Sequence, residues 1–300
     1  MIQYLKKIFW KLYNLYYCTL TLISPRLNSI ARYKERFNST PPNLDNPVNF
    51  NEKLLKIKLE RYNYDPLVCQ CADKYAVREY VEQKGLGRYL VPLIASYDSV
   101  NQINWNKLPK RFVIKWNFGC HLNLVCKDKR NFDVEYASKQ LRKFKNSKYH
   151  LKYSELQYKI PNSSKKIIVE EFLDNGKGDS PEDFKIYCYN GEPKYILICY
   201  ERQESGLAKY FYFDTDWNFM PFDLNNQTLP DNYIIPRPNN LSEMLEAASI
   251  LSKGFPFVRV DFYIVGEKIY FGEMTFTPCA CLDAEITPEA ADILGRPIKF

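Results

Sequence analysis

The stretch Phe257-Val-Arg-Val-Asp-Phe-Tyr-Ile-Val-Gly-Glu-Lys-Ile-Tyr-Phe-Gly-Glu-Met-Thr-Phe-Thr-Pro278 decides the fold. Two apolar runs flank Gly266-Glu267-Lys268, the pattern of a β-hairpin. Val258, Val260, Phe262 and Ile264, answered by Tyr270, Met274 and Phe276, read as one apolar face. Arg259, Asp261, Glu273 and Thr275 fall on the other. A three-residue loop over Gly266-Glu267-Lys268 pairs Val265 with Ile269, hence Asp261 with Glu273 and Arg259 with Thr275. Directly opposed residues hold their Cβ atoms about 5 Å apart. Two carboxylates that close repel unless something positive sits between them, and oxygen ligands of this hardness suit Mg²⁺ or Mn²⁺. A two-residue loop would send Asp261 and Glu273 to opposite faces. The hairpin alone equally allows an exposed strand whose acids pair with Arg259 and a lysine.

Working outward, 300 residues make one large or two modest domains with a proper core. Hydrophobic content of 46% with 26% charged residues is that of a soluble globular chain. The net charge is +7, but residues 1–40 hold seven Lys/Arg (Lys6, Lys7, Lys11, Arg26, Arg32, Lys34, Arg36) against Glu35 alone. The excess therefore belongs to an N-terminal arm, and a nearly neutral body speaks against nucleic acid.

Nine cysteines are scattered, two pairs of them as Cys-x-Cys (Cys69/Cys71 and Cys279/Cys281). They read as reduced cytosolic thiols rather than a disulfide framework, and the spacing is not the usual one for zinc. His121 and His150 are the only histidines, which leaves little room for Ser-His-Asp or Cys-His chemistry.

Residues 4–23 form a helical stripe of Leu5, Ile8, Phe9, Leu12, Leu15, Tyr16 and Ile23 with lysines near its start. Ser24-Pro25 stops it. It is too interrupted to span a bilayer, and no small-residue cleavage site follows. Two readings stay open: a basic aromatic helix lying in an anionic membrane surface, or a helix packed on the body or a second subunit. The connector 38–49 leads to a helix over Glu52–Leu59 capped by Asn49 or Asn51. A second helix reads from Leu67 to Lys84, and 133–159 also look helical.

Arg111–Lys115 is a short strand running into the loop Trp116–Asn123, where Lys115 beside Gly119 is a plausible phosphate contact. Lys165–Leu173 is another apolar strand, closing with Glu170-Glu171-Phe172-Leu173. Asn190-Gly191 turns a hairpin, with Lys185 on its first strand and Arg202 beyond its second. Asp214-Thr215-Asp216 is a turn, or an Asp-x-Asp metal site for a nucleotide sugar, as in a glycosyltransferase. Gly-x₄-Gly-Lys-Ser/Thr, Gly-x-Gly-x-x-Gly, His-Glu-x-x-His and Gly-x-Ser-x-Gly are all missing.

In chain order these pieces are Asp73-Lys74, Lys115 with its glycine loop, Glu170–Leu173, Lys185, Arg202, Arg259-x-Asp261 and Glu273-x-Thr275. Together they resemble the ATP-grasp superfamily. The phrases FNEKL, DKYAVREYV, DSVNQINWNKLP, DFKIYCYNGEPKY, FPFVRVDFY and IYFGEMTFTP are similar to the TupA-like (teichuronopeptide-biosynthesis) ATP-grasp proteins of polysaccharide loci, over roughly residues 32–280.

The resemblance implies an α+β ATP-grasp fold in which two subdomains clasp ATP with Mg²⁺ (or Mn²⁺) behind the N-terminal arm. The implied division is an arm over 1–40, a lid-bearing part over 41–168 and a metal-bearing part over 169–300. It further implies that Lys74, Lys115 and Lys185 reach the phosphates under the Gly119 loop. Glu170, Glu171, Phe172 and Leu173 would meet the adenine, and Asp261, Glu273 and Thr275 the metal. Arg259, Arg202 and Lys185 would face the reacting groups. The implied reaction is ADP-forming: a carboxylate is activated as an acyl phosphate and an amine attacks it. The implied partners are a sugar-acid or polysaccharide precursor and an amine or amino acid, in the cytoplasm at the inner face of the membrane.

Two departures stand out. The lid Lys115-Trp-Asn-Phe-Gly-Cys-His-Leu-Asn123 is bulkier than the family's small-residue loop. Cys279-Ala280-Cys281 also replaces the family's usual Gly-Ser-Gly, in a region expected to border the acceptor.

Overall fold

The computed structural model describes residues 2–120, 122–176, 181–200, 209–229 and 234–300. Two antiparallel sheets organise them. The smaller contains β1 (Leu93–Tyr97), β2 (Phe112–Trp116), β3 (Asn123–Cys126) and β4 (Ile167–Glu171), in the order β1-β4-β2-β3. The larger contains β5 (Glu182–Tyr189), β6 (Glu192–Tyr200), β7 (Lys209–Asp214), β8 (Phe219–Met220), β9 (Val258–Val265) and β10 (Lys268–Thr275), in the order β10-β9-β5-β6-β7-β8. The opening hairpin is thus β9–β10 at one edge, with β9 docked on β5. Asn190 and Gly191 turn β5 into β6 at φ +51° and +89°, as an Asn-Gly hairpin requires.

Each sheet has its own core. Phe112, Ile114, Trp116, Leu141, Ile167 and Val169 fill the smaller one, where the buried Trp116 donates its indole N–H to the Leu141 carbonyl at 2.8 Å. The larger sheet packs its apolar face on α3 (Phe50–Ile57), α8 (Leu241–Ser252) and α9 (Pro288–Gly295). Asn49 caps α3, its side chain accepting from the Glu52 N–H. Buried Tyr62 fixes where the hairpin begins, its hydroxyl donating to the Phe257 carbonyl (2.6 Å) and accepting from the Phe257 N–H (3.0 Å).

The two long helices expected from periodicity are each broken. Residues 67–84 form α4 (Pro66–Ala72) and α5 (Val77–Gln83) because the Asp73 carboxylate takes the N–H groups of Tyr75 and Ala76. A short acid that bonds its own backbone competes with the helix ladder. Residues 133–159 form α6 (Val134–Lys145), α7 (Tyr149–Lys152) and a single 3₁₀ turn, with Ser154 at φ +54° blocking continuation.

The N-terminal arm is a helical hairpin, α1 (Ile2–Ile23) and α2 (Pro25–Arg36), with Ser24 capping α2. Its inner face packs on the body. Thr21 donates to the Leu151 carbonyl, and Arg32 lies over the Tyr17 ring (3.4 Å) while donating to the Lys152 carbonyl. Its outer face does not: Leu5, Phe9, Leu12, Leu15, Tyr16, Leu22 and Ile23 are each more than half exposed. The packing reading therefore holds for one side of α1 and leaves the other uncovered.

Candidate active site

The hairpin reaches the expected pairing by a route the sequence reading did not take. Val265 pairs with Lys268, not Ile269, so the loop has two residues, with Gly266 at φ +59°. That register would put Gly272 opposite Asp261 and turn Glu273 to the other face. A β-bulge at Gly272 adds one residue to β10, after which Glu273 opposes Asp261 and Thr275 opposes Arg259. A Cβ on Gly272 would lie 3.0 Å from the Asp261 carbonyl oxygen and 3.1 Å from the Tyr263 ring, so glycine fits where a side chain would not. The bulge also flips the parity of β10. Ile269 and Phe271 are buried before it and Met274 and Phe276 after it, so Tyr270 is not on the apolar face.

A charge ladder fills the opposite face. Arg259 donates Nε to Asp261 Oδ1 and Nη2 to Asp261 Oδ2, both at 2.7 Å. Its Nη2 also donates to Thr275 Oγ1 (3.1 Å) and lies 3.7 Å from Glu273 Oε1. Lys185 on β5 bonds Asp261 Oδ2 (2.9 Å) and Asp183 Oδ2 (2.7 Å). Asp261 and Asp183 are buried, while Glu273 keeps 38% of its side chain exposed. Thr275 donates to Glu273 Oε1 at 3.0 Å, and Glu273 Oε2 has no partner among the described residues. Burial pushes the Asp261 carboxyl up against the pull of Arg259 and Lys185. At Glu273 burial also raises the pKa, yet Lys74, Arg259 and Lys185 hold it at about 2. Asp183, a third acid in this cluster, went unread in the sequence because it lies far from the hairpin along the chain.

The lid side is pinned by Asn117. Its side chain donates to Asp73 (2.7 Å) and its backbone bonds Lys74 and Lys166. Lys74 Nζ donates to the Gly119 carbonyl at 2.8 Å. Gly119 has φ +75°, a left-handed backbone that favours glycine, and a Cβ there would also have to displace the tip of the Leu122 side chain, 2.5 Å away. Buried Phe118 lies tilted against Trp116 (5.6 Å between ring centroids), so the bulk of Phe118 goes into the smaller sheet's core, while Cys120 stays exposed. Lys74, Gly119, Arg259, Glu273 and Thr275 line one cleft, while Asp261 and Lys185 do not line it.

The remaining candidates lie elsewhere. Lys115 Nζ is 2.6 Å from Glu170 Oε2, and Arg78 sits 3.6 Å from Glu170 Oε1, so this lysine is held in an ion pair on the smaller sheet. Glu171 ends β4, and Phe172 and Leu173 follow it half-buried, Phe172 under the Arg111 guanidinium (5.5 Å). None of these lines the cleft. Arg202 and His121 lie outside the described residues. Asp214 spends its carboxylate on the N–H groups of Asp216 and Asn218 and on the Asn218 side chain, the bonding of a turn.

The cleft's far wall carries two features with no motif in the sequence. Cys279, Ala280 and Cys281 run at φ +50°, +58° and +64°, where a residue with a side chain costs about 1–2 kcal/mol. The chain thus keeps here a left-handed path that the family's glycines would take freely. Beside it, Glu155 is buried, accepts from the Thr277 hydroxyl through Oε1 and has Oε2 without a partner among the described residues. Burial drives Glu155 up to about 7 against the pull of Lys58.

Glu155 therefore binds a proton in the folded chain at pH values where the unfolded chain, near 4.5, has lost it. Its contribution to stability is full below the unfolded value and is lost as pH rises through about 7. Denaturant unfolding between about pH 5 and 8 should show that decline, and Glu155→Gln should flatten it. The same slope in the variant would remove Glu155 as its source.

A family model described as TupA-like ATPgrasp matches residues 52–299. No curated protein matches the chain. Among solved structures, D-alanine–D-alanine ligase from Bacillus anthracis is similar at 15% identity and a TM-score of 0.43, over 84% of this chain and 69% of that one. D-cycloserine synthetase DcsG is similar at 12% identity and 0.44, over 79% and 72%. The ATP-grasp ligase PsnB gives 9% and 0.39, over 72% of this chain and 55% of that one, so the chain spans little more than half of PsnB.

Proposed function

The chain belongs to the TupA-like ATP-grasp family, and from that premise we propose that it is an ATP-dependent, ADP-forming carboxylate–amine ligase acting on a surface-polysaccharide precursor. The observation that carries the proposal is the cleft in which Glu273, opposed to Asp261 and flanked by Arg259 and Thr275, faces Lys74 of the lid side.

The donor set fits a hard divalent cation. Glu273 offers a free oxygen, and a carboxylate has about four lone-pair sites, of which Asp261 uses three on Arg259 and Lys185. Thr275 positions the Glu273 carboxylate. Among the described residues no group of three or more His, Cys, Asp or Glu side chains is arranged to hold a metal ion, this cleft included, so the ion would rest on Glu273 and Asp261 together with the phosphates. A bound Mg²⁺ supplies neutralisation of phosphate charge, the main demand of phosphoryl transfer.

Lys74 and Lys185 approach the phosphates, with the third N–H of Lys185 still available beyond its two carboxylate bonds. Lys115 would join them only on release from Glu170, and Glu170–Leu173, outside the cleft as it stands, would receive the adenine. The substrate carboxylate attacks the γ-phosphorus and ADP leaves. The amine, once it has lost its proton to solvent, then attacks the acyl carbon; phosphate leaves and the nitrogen's surplus proton follows to solvent. Arg259 would offset the charge that develops on oxygen in both steps; Arg202, expected to share that role, lies outside the described residues. ADP release with a panel of uronic acids and amines is the test. A chain that binds no ATP with Asp261 and Glu273 intact would instead be a non-catalytic scaffold, the reading favoured by its bulky lid.

The uncovered face of α1 extends the proposal to a place of work. Its exposed leucines and aromatics, with Lys6 and Lys11 in the same helix, suit the anionic inner face of a membrane. No helix among the described residues is long and apolar enough to cross one. Removing residues 1–36 should abolish co-sedimentation with phosphatidylglycerol vesicles. Phe9→Glu with Leu12→Glu, which spares the packed face, should weaken it about tenfold or more, since each large apolar side chain contributes about 1.5–3 kcal/mol when buried. Unchanged partitioning would leave α1 only its packing role.

A further inference from the structure

We propose that Glu155, Gln157 and Thr277 form the subsite that receives the amine nitrogen of the second substrate, as its ammonium, an assignment that rests on the ligase reading above. All three residues are buried, at 2%, 1% and 3% exposure. Their bonds converge on one atom: Thr277 Oγ1 donates to Glu155 Oε1 and accepts from Gln157 Nε2 at 2.9 Å. This arrangement leaves Glu155 Oε2 and Gln157 Oε1, on two side chains that share Thr277, as buried acceptors without partners among the described residues. Buried acceptors call for donors. Of the groups an amide-forming reaction brings, only the amine arrives with donors and a positive charge, an ammonium having three N–H groups and no acceptor.

The position suits that role. Glu155 and Thr277 line the same cleft as Glu273, Arg259 and Lys74. Thr277 lies two residues beyond Thr275 on the chain leaving β10. The cleft is therefore polarised, with cations on the hairpin and lid to hold anionic groups and an acid on the wall near Cys279 to hold a cation. Tyr149 and Tyr158 also line that wall.

The plainer role for Glu155 is counter-ion to Lys58, which is buried and electrostatically coupled to it. Yet the two make no ion pair within 4 Å among the described residues, and Lys58 Nζ donates to the Tyr153 carbonyl at 3.1 Å. A counter-ion role also gives Gln157 Oε1 no partner.

The experiment uses the full chain above about pH 8, where Glu155 is ionised, with propylammonium chloride as probe and 1-propanol as its neutral counterpart, both followed by saturation-transfer NMR. Calorimetry of Mg²⁺-ATP on the same samples serves as the control. The wild-type chain should bind propylammonium and not propanol. Glu155→Gln, nearly isosteric, should weaken propylammonium about tenfold or more and leave ATP affinity within about twofold. Glu155→Asp, which keeps the charge, should fall between. Equal binding of propanol, no binding of propylammonium to the wild type, or unchanged affinity in Glu155→Gln would each overturn the subsite. A chain that binds propylammonium but not Mg²⁺-ATP would sink the ligase reading instead and leave the cation site standing.

Discussion

Glu273→Gln is expected to lower ADP release about 10²–10³-fold, the loss typical of removing one preorganised charge-stabilising group, while leaving the fold intact. Its side chain is more than a third exposed to the cleft, so the amide faces no large burial penalty. Thr275 can still donate to its oxygen as it does now. What disappears is the charge that Lys74 and Arg259 stabilise and that a metal would require. Asp261→Asn looks like the matching experiment but is a poorer one. It would also strip the counter-ion from Arg259 and Lys185, so lost activity could follow from lost folding. Steady-state ADP release decides the point once the acid and amine are identified, and calorimetric Mg²⁺-ATP affinity can be read before then. Values within about threefold of wild type, against that expectation, would take Glu273 out of the metal site. The hairpin would then be a charged strand pair and nothing more.

That experiment turns on a pairing the sequence allowed but could not prove. Alternation made the two strands and their faces legible. The loop was not, because Gly266-Glu267-Lys268 closes equally well over two residues or three. The isolated Gly272 was the available signal, since a glycine inside a strand often marks a bulge, and the bulge restores the pairing that a two-residue loop would have broken. Gly119 was legible as part of a lid and Lys74 as a cofactor-binding lysine, but their mutual hydrogen bond was not. The ion pair of Lys115 with Glu170 depends on β2 lying beside β4, a register no local pattern encodes. Asp183 and Glu155 were invisible for the same reason: Glu155 bonds Thr277, 122 residues on, and Asp183 joins the cluster through Lys185, which also bonds Asp261, 76 residues away. Helix ends were misread where Asp73 bonds its own backbone, because periodicity counts apolar positions and not competing hydrogen bonds.

Lys185→Met is expected to cost about 3–5 kcal/mol of folding stability, the range for removing one partner of a buried ion pair. Against a total of about 5–15 kcal/mol for a typical domain, that is the largest single loss foreseen for this chain. Lys185 has 13% of its side chain exposed, and the acids it bonds have 3% and 2%. After the substitution Arg259 stays on Asp261, but Asp183 loses its ammonium. Adding Asp183→Asn removes a negative charge along with the positive one and should recover half or more of the loss in guanidinium midpoints. A single-variant cost below about 1 kcal/mol, the level of an exposed pair, would mean that the ladder is solvated. The double variant also asks why a lysine is kept here at all, since buried pairs can often be replaced by apolar groups without net loss. If its third N–H serves a phosphate, the double variant should regain stability and still bind Mg²⁺-ATP about tenfold or more weakly, a charged hydrogen bond being worth about 1.5–3 kcal/mol. Recovery of both would assign Lys185 to the fold alone.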